Sequence, residues 1–193
     1  MKSQKLIVIV VSVCLLVGAS SAAMARNDCS GGSIAGGTFD EIVIDEFVSC
    51  SVVGVVVTGR VLIKDADQFT MKGSLVEGNF RVINVVSANL VDNQVVNGNL
   101  VAKGNGVSFV AKNIVTGGTI RVNDDTCDQE QDVAVLLNLV FNGNLRVNCN
   151  DKADVKENKV TNGDITCSDN DNLDSIDNDA FGGRVNCSRS LFN

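Results

Sequence analysis

The sequence predicts an all-β protein, a right-handed parallel β-helix (solenoid) with about seven coils of roughly 20 residues each. Three observations predict this fold class: an internal repeat of nearly constant period, an alternation of apolar and polar side chains within each copy, and a repeat dominated by Val, Asn, Gly and Thr, which are poor helix formers. We expect right-handed winding because parallel β connections strongly prefer it.

Seven glycines mark the repeat, and the intervals between them are 19, 20, 20, 25, 20 and 20 residues. They are Gly59, Gly78, Gly98, Gly118, Gly143, Gly163 and Gly183. The text around them recurs, as in NGNLVA, GGTIRV and NGNLRV. A repeat of this kind predicts stacked coils, because a single coil cannot bury its own apolar face.

The residues that follow each glycine alternate between buried and exposed types. After Gly143, for example, the apolar Leu145 and Val147 flank Arg146. This period of two predicts a strand with one face buried. Because residues about twenty apart should stack, Leu145 is expected to lie directly against Ile120 in the neighbouring coil.

Two further apolar columns precede the glycine, and both are predicted to face the core. The column three residues before it begins with Val56 and Leu75, and the column eight residues before it begins with Ser51 and Thr70. The residues two positions before each repeat glycine either form an exposed apolar stripe or turn inward at the bend. This set consists of Val57, Val76, Val96, Thr116, Phe141, Thr161 and Phe181.

A column of Gly and Asn five residues before the glycine predicts a sharp bend in every coil. Both residue types tolerate the left-handed αL conformation, and the repeated glycine marks a second bend. Stacked Asn side chains are also expected to hydrogen-bond to one another along the solenoid. The column consists of Gly54, Gly73, Asn93, Asn113, Asn138, Asn158 and Asn178.

The N-terminal residues have the features of a secretory signal peptide. Lys2 and Lys5 precede an apolar run at 6–17, and Ala-Met-Ala at 23–25 fits a signal peptidase site. A buried N-terminal helix is the alternative. We expect an exported protein, secreted or periplasmic, with no later segment able to insert into a membrane. The predicted divisions are 1–25 signal peptide, 26–50 irregular N-terminal cap or first coil, and 51–193 β-helix repeats.

Composition excludes several function classes. Loss of Lys2 and Lys5 with the signal peptide lowers the formal net charge from −7 to −9. So acidic a chain is expected to repel nucleic acid and anionic membranes. The sequence contains no His, Trp or Tyr, which removes the usual general base, the commonest zinc ligand and the large aromatic rings that stack on sugars. No cofactor is expected, Ca²⁺ excepted.

Six cysteines remain after cleavage, and an even number in an exported chain predicts disulfides. Six cysteines allow many pairings, but the register narrows them: Cys167 and Cys187 share one column on adjacent coils, where strands lie about 4.8 Å apart. The alternative is that these two stay reduced as small buried side chains. The predicted pairs are Cys29–Cys50, Cys127–Cys149 and Cys167–Cys187.

Over residues 37–190 the repeat resembles the pectate-lyase-like right-handed β-helix superfold, with its inward Asn ladder and its apolar stacks. Enzymes of that superfold carry extended loops that build a substrate groove, whereas only one coil here has an insertion, of five residues. The resemblance therefore implies the architecture, and it favours a binding or structural module over an enzyme.

One outward column is a candidate binding face. Arg81, Arg121 and Arg146 each lie three residues after their glycine, with Val101 between the first two. Guanidinium groups pair well with carboxylates, so these residues are candidates for binding a carboxylated polysaccharide. The alternative is an ordinary soluble sheet face.

Acidic residues near the last repeats are candidate Ca²⁺ ligands. They are Asp169, Asp171, Asp174 and Asp177. Spaced acidic oxygens suit a hard cation, although Asp174 replaces the sixth-position Gly of an EF-hand loop and Ala180 replaces its final Glu. The alternative is that they are turn residues. The acidic insertion at 123–132 is a second candidate, for Ca²⁺ or for a basic partner.

Three functions are compatible with these features. The first, which the sequence favours, is a secreted, non-enzymatic solenoid that binds polysaccharide or protein at a cell surface or in the extracellular matrix. The second is a small polysaccharide lyase or hydrolase, which needs carboxylates, or Ca²⁺ with a basic residue, on one outward face. The third is a structural protein that self-associates end to end or through the apolar stripe.

Overall fold

The computed structural model describes residues 29, 32–45, 47–123, 127 and 131–187. Within these ranges the regular structure consists of 24 short β-strands. None of the described residues forms a helix long and apolar enough to span a membrane. The predicted signal peptide and most of the acidic insertion lie outside the described residues.

Each coil contributes one strand to each of three parallel sheets around a common core. Sheet 1 contains β1 (Ser33–Ala35), β4 (Cys50–Val53), β7 (Gln68–Lys72), β10 (Ser87–Val91), β13 (Val107–Ala111), β16 (Asp132–Leu136), β19 (Lys152–Lys156) and β22 (Asn172–Ile176). Sheet 2 contains β2 (Thr38–Phe39), β5 (Val56–Val57), β8 (Leu75–Val76), β11 (Gln94–Val96), β14 (Ile114–Thr116), β17 (Leu139–Phe141), β20 (Lys159–Thr161) and β23 (Asp179–Phe181). Sheet 3 contains β3 (Ile42–Asp45), β6 (Val61–Lys64), β9 (Phe80–Ile83), β12 (Leu100–Lys103), β15 (Ile120–Asn123), β18 (Leu145–Asn148), β21 (Ile165–Ser168) and β24 (Val185–Cys187).

This arrangement confirms the predicted β-solenoid. Each sheet has eight strands, so the described residues form eight rungs, one more than the glycine repeat marks. The additional rung consists of β1, β2 and β3, within the segment 26–50 that the sequence predicts to be irregular. Ile42 and Ile44 on β3 are buried and alternate with Val43, so the described residues 33–45 continue the three-sheet pattern of the later coils. The right-handed winding stays a prediction.

Sheet 3 shows how stacking builds the core. Leu100, Ile120 and Leu145 are direct neighbours on adjacent strands, as the repeat predicts. All are fully buried, and full burial of such a side chain stabilises a fold by about 1.5–3 kcal/mol. The fully buried members of this column are Val61, Phe80, Leu100, Ile120, Leu145 and Ile165.

The predicted inward column of sheet 2 is wrong by one residue in two coils. Val57 and Val76 are fully buried and stack on Val95, while Val56 and Leu75 are half-buried on the outer face. The physical reason lies in the turn that follows sheet 2. Between the inward residues of sheets 2 and 3, one residue fewer intervenes in these two coils (Val76 to Phe80) than in the next (Val95 to Leu100), so counting back from the glycine selects the wrong neighbour.

Sheet 1 shows the same shift. Val52 and Met71 are fully buried, whereas Ser51 and Thr70, which the glycine register places inward, lie on the outer face. Counting back from the glycine passes through the same shorter interval, so both columns carry the same error.

Each coil has three bends instead of the predicted two, one at each edge between sheets. Between sheets 1 and 2 the left-handed residue is the one before the asparagine, as at Asp92 with φ of 56°. Gly54 and Gly73 align with Asp92 and not with the asparagines. Left-handed residues also occur before the repeated glycine, as at Asn97, and between sheets 3 and 1, as at Asn84.

The asparagines of this column form a hydrogen-bonded ladder through the core. Asn93 Nδ2 donates to Asn113 Oδ1, and Asn113 Nδ2 donates to Asn138 Oδ1, both at 3.1 Å. The ladder continues through Asn158 to Asn178 at 3.0 and 2.9 Å. Each Nδ2 also donates to a backbone carbonyl of the preceding coil. The Asn side chains therefore satisfy buried polar groups instead of making the bend themselves.

A second buried ladder, between sheets 3 and 1, is not predicted from the sequence. Asn150 Nδ2 donates to Asn170 Oδ1 at 2.7 Å, and Asn105 Oδ1 accepts a hydrogen bond from the Val85 backbone N–H at 2.9 Å. The insertion at 123–132 separates Asn105 from Asn150 in the sequence, which hides the period of this ladder.

The repeated glycine is needed for close approach of the backbone. Gly98 and Gly118 do not have positive φ. A Cβ added at Gly118 would overlap the carbonyl oxygen of Gly98 in the preceding coil, and the same overlap recurs at the later repeat glycines. Only a residue without a side chain therefore lets neighbouring coils approach at this edge.

We expect Gly118→Ala to destabilise the protein by more than about 3 kcal/mol, or to prevent folding, because rigid backbone lies where the methyl group must go. The measurement is urea unfolding followed by far-UV circular dichroism. The control is Gly32→Ala, whose added Cβ meets nothing within 4 Å, with an expected change below about 0.5 kcal/mol. Equal midpoints for the two variants would contradict the close-approach explanation.

We also expect Asn138→Ala to lower the free energy of unfolding by about 3 kcal/mol, because it leaves buried donors of Asn113 without an acceptor. Asn99→Ala is the matched control. It removes a ladder bond to Asn79 that is exposed to water, and it should cost less than about 1 kcal/mol. Equilibrium unfolding in urea compares the two, and a similar loss for both would show that burial does not decide the contribution.

Candidate functional site on the outer face of sheet 3

The three predicted arginines lie together on the outer face of sheet 3. Arg81, Val101, Arg121 and Arg146 are consecutive Cα partners on β9, β12, β15 and β18. Each lies between two buried residues of its strand, so the alternation forces it outward. At a strand spacing of about 4.8 Å, the Cα atoms of Arg121 and Arg146 lie about 5 Å apart and those of Arg81 and Arg121 about 10 Å apart. We call these three residues the arginine column.

A shallow cavity of about 250 Å³ lies beside this column. It is lined by Asn79, Arg81, Asn99, Val101, Lys103, Arg121 and Asn123. The sequence pattern did not indicate Lys103 as a site residue, because it occupies a second outward column, five residues after the glycine. Asn79 and Asn99, directly after their glycines, were signalled by the recurring EGN and NGN text. Arg146 lies on the next strand, outside the cavity lining.

The four strands of this region contain basic residues and no acidic ones. The outward residues of β9, β12, β15 and β18 include Arg81, Lys103, Arg121 and Arg146, and no Asp or Glu occurs in these four strands. The described part of the chain offers no ion pair to Arg81, Arg121 or Arg146. A chain with net charge −7 thus gathers positive charge on one face.

Two cations elsewhere in the described chain are paired with carboxylates. Arg60 contacts Glu41 at 2.7 Å, and Lys156 contacts Asp174 at 2.6 Å and Asp154 at 3.7 Å. The hydrogen bond to Asp174 raises the pKa of Lys156, with smaller contributions from the charges of both carboxylates. Lys156 therefore stays protonated at neutral pH and cannot act as a general base there.

Within the described part of the chain, no carboxylate offsets the repulsion between the arginines of the column. Arg121 and Arg146 are directly opposite each other on adjacent strands, and like charges in this position destabilise a sheet. A bound anion between the guanidinium groups would replace this repulsion with charge-assisted hydrogen bonds. The geometry is thus suited to carboxylate, sulfate or phosphate groups on a ligand that spans several rungs.

The predicted Ca²⁺ ligands are not brought together. Asp171 and Asp177 flank opposite ends of β22, a strand about 16 Å long, and Asp169 precedes Asp171 at the same edge. Asp174 lies in the middle of β22 and is paired with Lys156. The described ranges contain no group of three or more His, Cys, Asp or Glu side chains placed to hold a metal ion. The calcium hypothesis stays a prediction that this geometry does not favour.

The structure contains the three predicted disulfides. Cα–Cα distances are 5.7 Å for Cys29–Cys50, 4.5 Å for Cys127–Cys149 and 4.4 Å for Cys167–Cys187. Each joins adjacent coils. Three intramolecular disulfides are consistent with an extracellular or otherwise oxidising environment.

The predicted apolar stripe divides between the two alternatives. Val57 and Val76 are fully buried, whereas the later members lie on the outer face of sheet 2. Phe141 and Phe181 are the most apolar of these, with 40% and 75% of their surface exposed. The part of the apolar stripe that faces outward is therefore shorter than the sequence register implies.

Comparison of the chain with protein-family models, with curated proteins and with solved structures finds no match. The function must therefore be argued from the geometry of the outer faces.

We expect Arg121→Thr to raise the free energy of unfolding by about 0.5 kcal/mol in low salt, because it removes the repulsion with Arg146. Thr166 already occupies this column on β21, so threonine fits the strand. The gain should shrink as sodium chloride screens the charges. Denaturant titrations at two salt concentrations test this. The control Arg60→Thr breaks the pair with Glu41 and should give no gain. A loss of stability for Arg121→Thr at low salt would contradict the repulsion.

Proposed function

We propose that this protein is a secreted, non-enzymatic solenoid that binds an anionic polysaccharide at a cell surface or in the extracellular matrix through the outer face of sheet 3. The observation that carries the proposal is the arginine column: three stacked cations with no carboxylate partner in the described chain, two of them directly opposed. A free protein gains nothing from this arrangement, whereas a polyanion binder does.

A polysaccharide with carboxylates suits the groups that surround the column. The planar guanidinium of Arg81 or Arg121 can accept a carboxylate in two parallel hydrogen bonds. The side-chain amides of Asn79 and Asn99, which line the same cavity, provide donors and acceptors for sugar hydroxyl groups. Water-exposed amides and arginines together match an acidic sugar better than an apolar ligand.

The direction of the column favours an extended ligand. The arginines follow one another from coil to coil, so the column runs along the solenoid and across the strands. From Arg81 to Arg146 there are three rung intervals, or about 14 Å. A polymer with regularly spaced charges can engage all three cations at once, and the joint contacts raise its affinity over that of a single acidic sugar.

A lyase or hydrolase is the weaker alternative. Such an enzyme needs an acid and a base on one face. The clustered carboxylates, such as Asp154 and Asp174, lie on sheet 1, while the arginines lie on sheet 3. The sequence contains no His, and Lys156 is held protonated by Asp174. These observations support binding without chemistry, and no cofactor is invoked.

Export is part of the proposal. The N-terminal pattern of Lys2, Lys5 and the apolar run at 6–17 supports it, and so do the three disulfides, which persist in oxidising compartments. An extracellular polysaccharide ligand fits that location.

The test is binding to polygalacturonate, with and without Ca²⁺, measured by calorimetry. We expect Arg121→Ser combined with Arg146→Ser to weaken binding at least tenfold, because two charge-assisted hydrogen bonds are lost. Rising salt should weaken the wild-type complex. The matched control, Arg60→Ser with Arg184→Ser, removes the same charge outside the column and should retain most of the affinity.

Three outcomes would contradict the proposal. Equal losses for the two double variants would assign binding to net charge alone. Absence of binding to any polyanion on a glycan array would contradict the proposed binding function. New ultraviolet absorbance from unsaturated products during incubation would show lyase activity. Light scattering over a range of protein concentrations separately tests self-association, the third function that the sequence allows.

A further inference from the structure

One rung carries only apolar side chains on the outer face of sheet 2 and at the corner before it. Leu137, at that corner, and Phe141, at the end of β17, have 43% and 40% of their surface exposed. Leu139 lies between them on the same face and is half-buried, while Val140 points into the core. An exposed apolar patch in a chain of net charge −7 indicates a surface that contacts another molecule.

The outward column that contains Phe141 has the same order of side-chain types in both directions along the solenoid. Its members are direct neighbours on β11, β14, β17, β20 and β23, namely Val96, Thr116, Phe141, Thr161 and Phe181. A threonine lies on each side of Phe141, and an apolar residue lies two rungs away on each side. A two-fold axis at Phe141, parallel to the strands, would therefore set Phe141 against itself and Val96 against Phe181 of a second copy.

The neighbouring outward column has a matching symmetry. On the same five strands it consists of Gln94, Ile114, Leu139, Lys159 and Asp179. The same axis would set Leu139 against itself and the side-chain amide of Gln94 against the carboxylate of Asp179, which can accept its hydrogen bond. Ile114 would meet the aliphatic stem of Lys159. Each of these contacts is favourable.

Charge complementarity at the corner between sheets 1 and 2 supports the same arrangement. One residue of each rung occupies this corner with φ between 52° and 57°, and these residues are Asp92, Lys112, Leu137, Glu157 and Asp177. The axis would set Lys112 against Glu157 of the second copy twice, and the two long side chains can span the roughly 10 Å between packed sheets. Neither residue belongs to a salt bridge within the described chain. Asp92 and Asp177 form the like-charged pair of this column, at its ends, where water screens them.

The other possible two-fold axis, parallel to the solenoid, lacks this complementarity. It would set each rung against the same rung of the second copy, with the strands running in opposite directions. Lys112 and Glu157 would then face the turns after β14 and β20, which read Gly-Gly-Thr and Asn-Gly-Asp and offer neither residue an opposite charge. The charges therefore favour two solenoids that run in opposite directions.

We propose that two copies of this protein associate through the outer faces of their second sheets, antiparallel about a two-fold axis at β17. Phe141, Leu139 and Leu137 of the two copies form the apolar centre of the contact. Two ion pairs between Lys112 and Glu157 fix the register at the adjacent corner.

The dimensions of the face set the expected strength of the dimer. Five rungs span about 19 Å along the solenoid, and the face from Leu137 to Phe141 is about 15 Å wide. A contact of this size falls below the ~800 Å² per partner of a standard interface, so we expect a weak and reversible dimer. The arginine column lies on sheet 3 and stays accessible in both copies, so the proposal does not depend on the ligand that sheet 3 binds.

Sedimentation equilibrium of two charge variants tests the register. Lys112→Glu and Glu157→Lys each convert both ion pairs of the dimer into like-charge contacts, so each variant alone should dimerise about tenfold more weakly than the wild type. Glu157→Lys also makes the chain less acidic, so an effect of net charge alone would strengthen its association instead. An equimolar mixture of the two variants should recover the wild-type affinity, because each contact in the mixed dimer again joins opposite charges.

Phe141→Thr tests the apolar centre. Threonine already occupies this column at Thr116 and Thr161, so the fold should be kept, and we expect dimerisation about tenfold weaker than in the wild type. The matched control is Phe109→Thr. It removes a phenylalanine of similar exposure, 39%, from the outer face of sheet 1, where Thr70 shares its column, and it should leave association unchanged.

Three results would overturn the proposal. A wild-type protein that stays monomeric up to its highest soluble concentration would assign the face to a different partner. A mixture of the charge variants that associates no better than either variant alone would refute the antiparallel register. Equal weakening by Phe141→Thr and Phe109→Thr would place the contact outside sheet 2.

Discussion

Close backbone contact between neighbouring coils at the repeated glycine is the constraint on which the rest of the structure depends. A side chain at Gly98, Gly118 or Gly143 would overlap the carbonyl oxygen of the corresponding glycine in the coil before it. The contact allows consecutive coils to stay at the strand spacing of about 4.8 Å, so that three sheets can form from one continuous winding. Inward side chains then stack directly, and the buried asparagines Asn113 and Asn138 reach from one coil to the next.

The same stacking acts on the outer faces, where its consequences differ. Inside, repetition of Leu100, Ile120 and Leu145 is favourable because like apolar side chains pack well together. Outside, repetition sets Arg121 against Arg146, where like charges repel. A solenoid therefore concentrates whatever chemistry its outward columns carry, favourable or not. This cationic column in an acidic protein is the observation from which we propose an anionic ligand.

The features that repeat in every coil could be predicted from the sequence, and those that vary between coils could not. The cysteine pairs follow from the period, because residues one coil apart are neighbours. The inward position of Val57 does not follow from the period, because the spacing from Val57 to the next inward residue, Val61, is one residue shorter than in later coils, and an alignment on the glycines hides this difference. Likewise, the left-handed conformation falls on Asp92 instead of Asn93, because the buried ladder holds the asparagine. The repeat pattern did not indicate Lys103 as a neighbour of the arginine column, because Lys103 lies in a second outward column.

By itself, the sequence determined the fold class, the coil length, the disulfide partners and the alignment of the three arginines, because a pattern repeated seven times reports directly which residues stack. Only the tertiary structure decided which side chains of the early coils face inward and why the repeat glycine is needed. It also decided which cations have no carboxylate partner among the described residues, and that the four aspartates do not converge. Those properties depend on distances across turns and between sheets, which a linear period of about 20 residues does not contain.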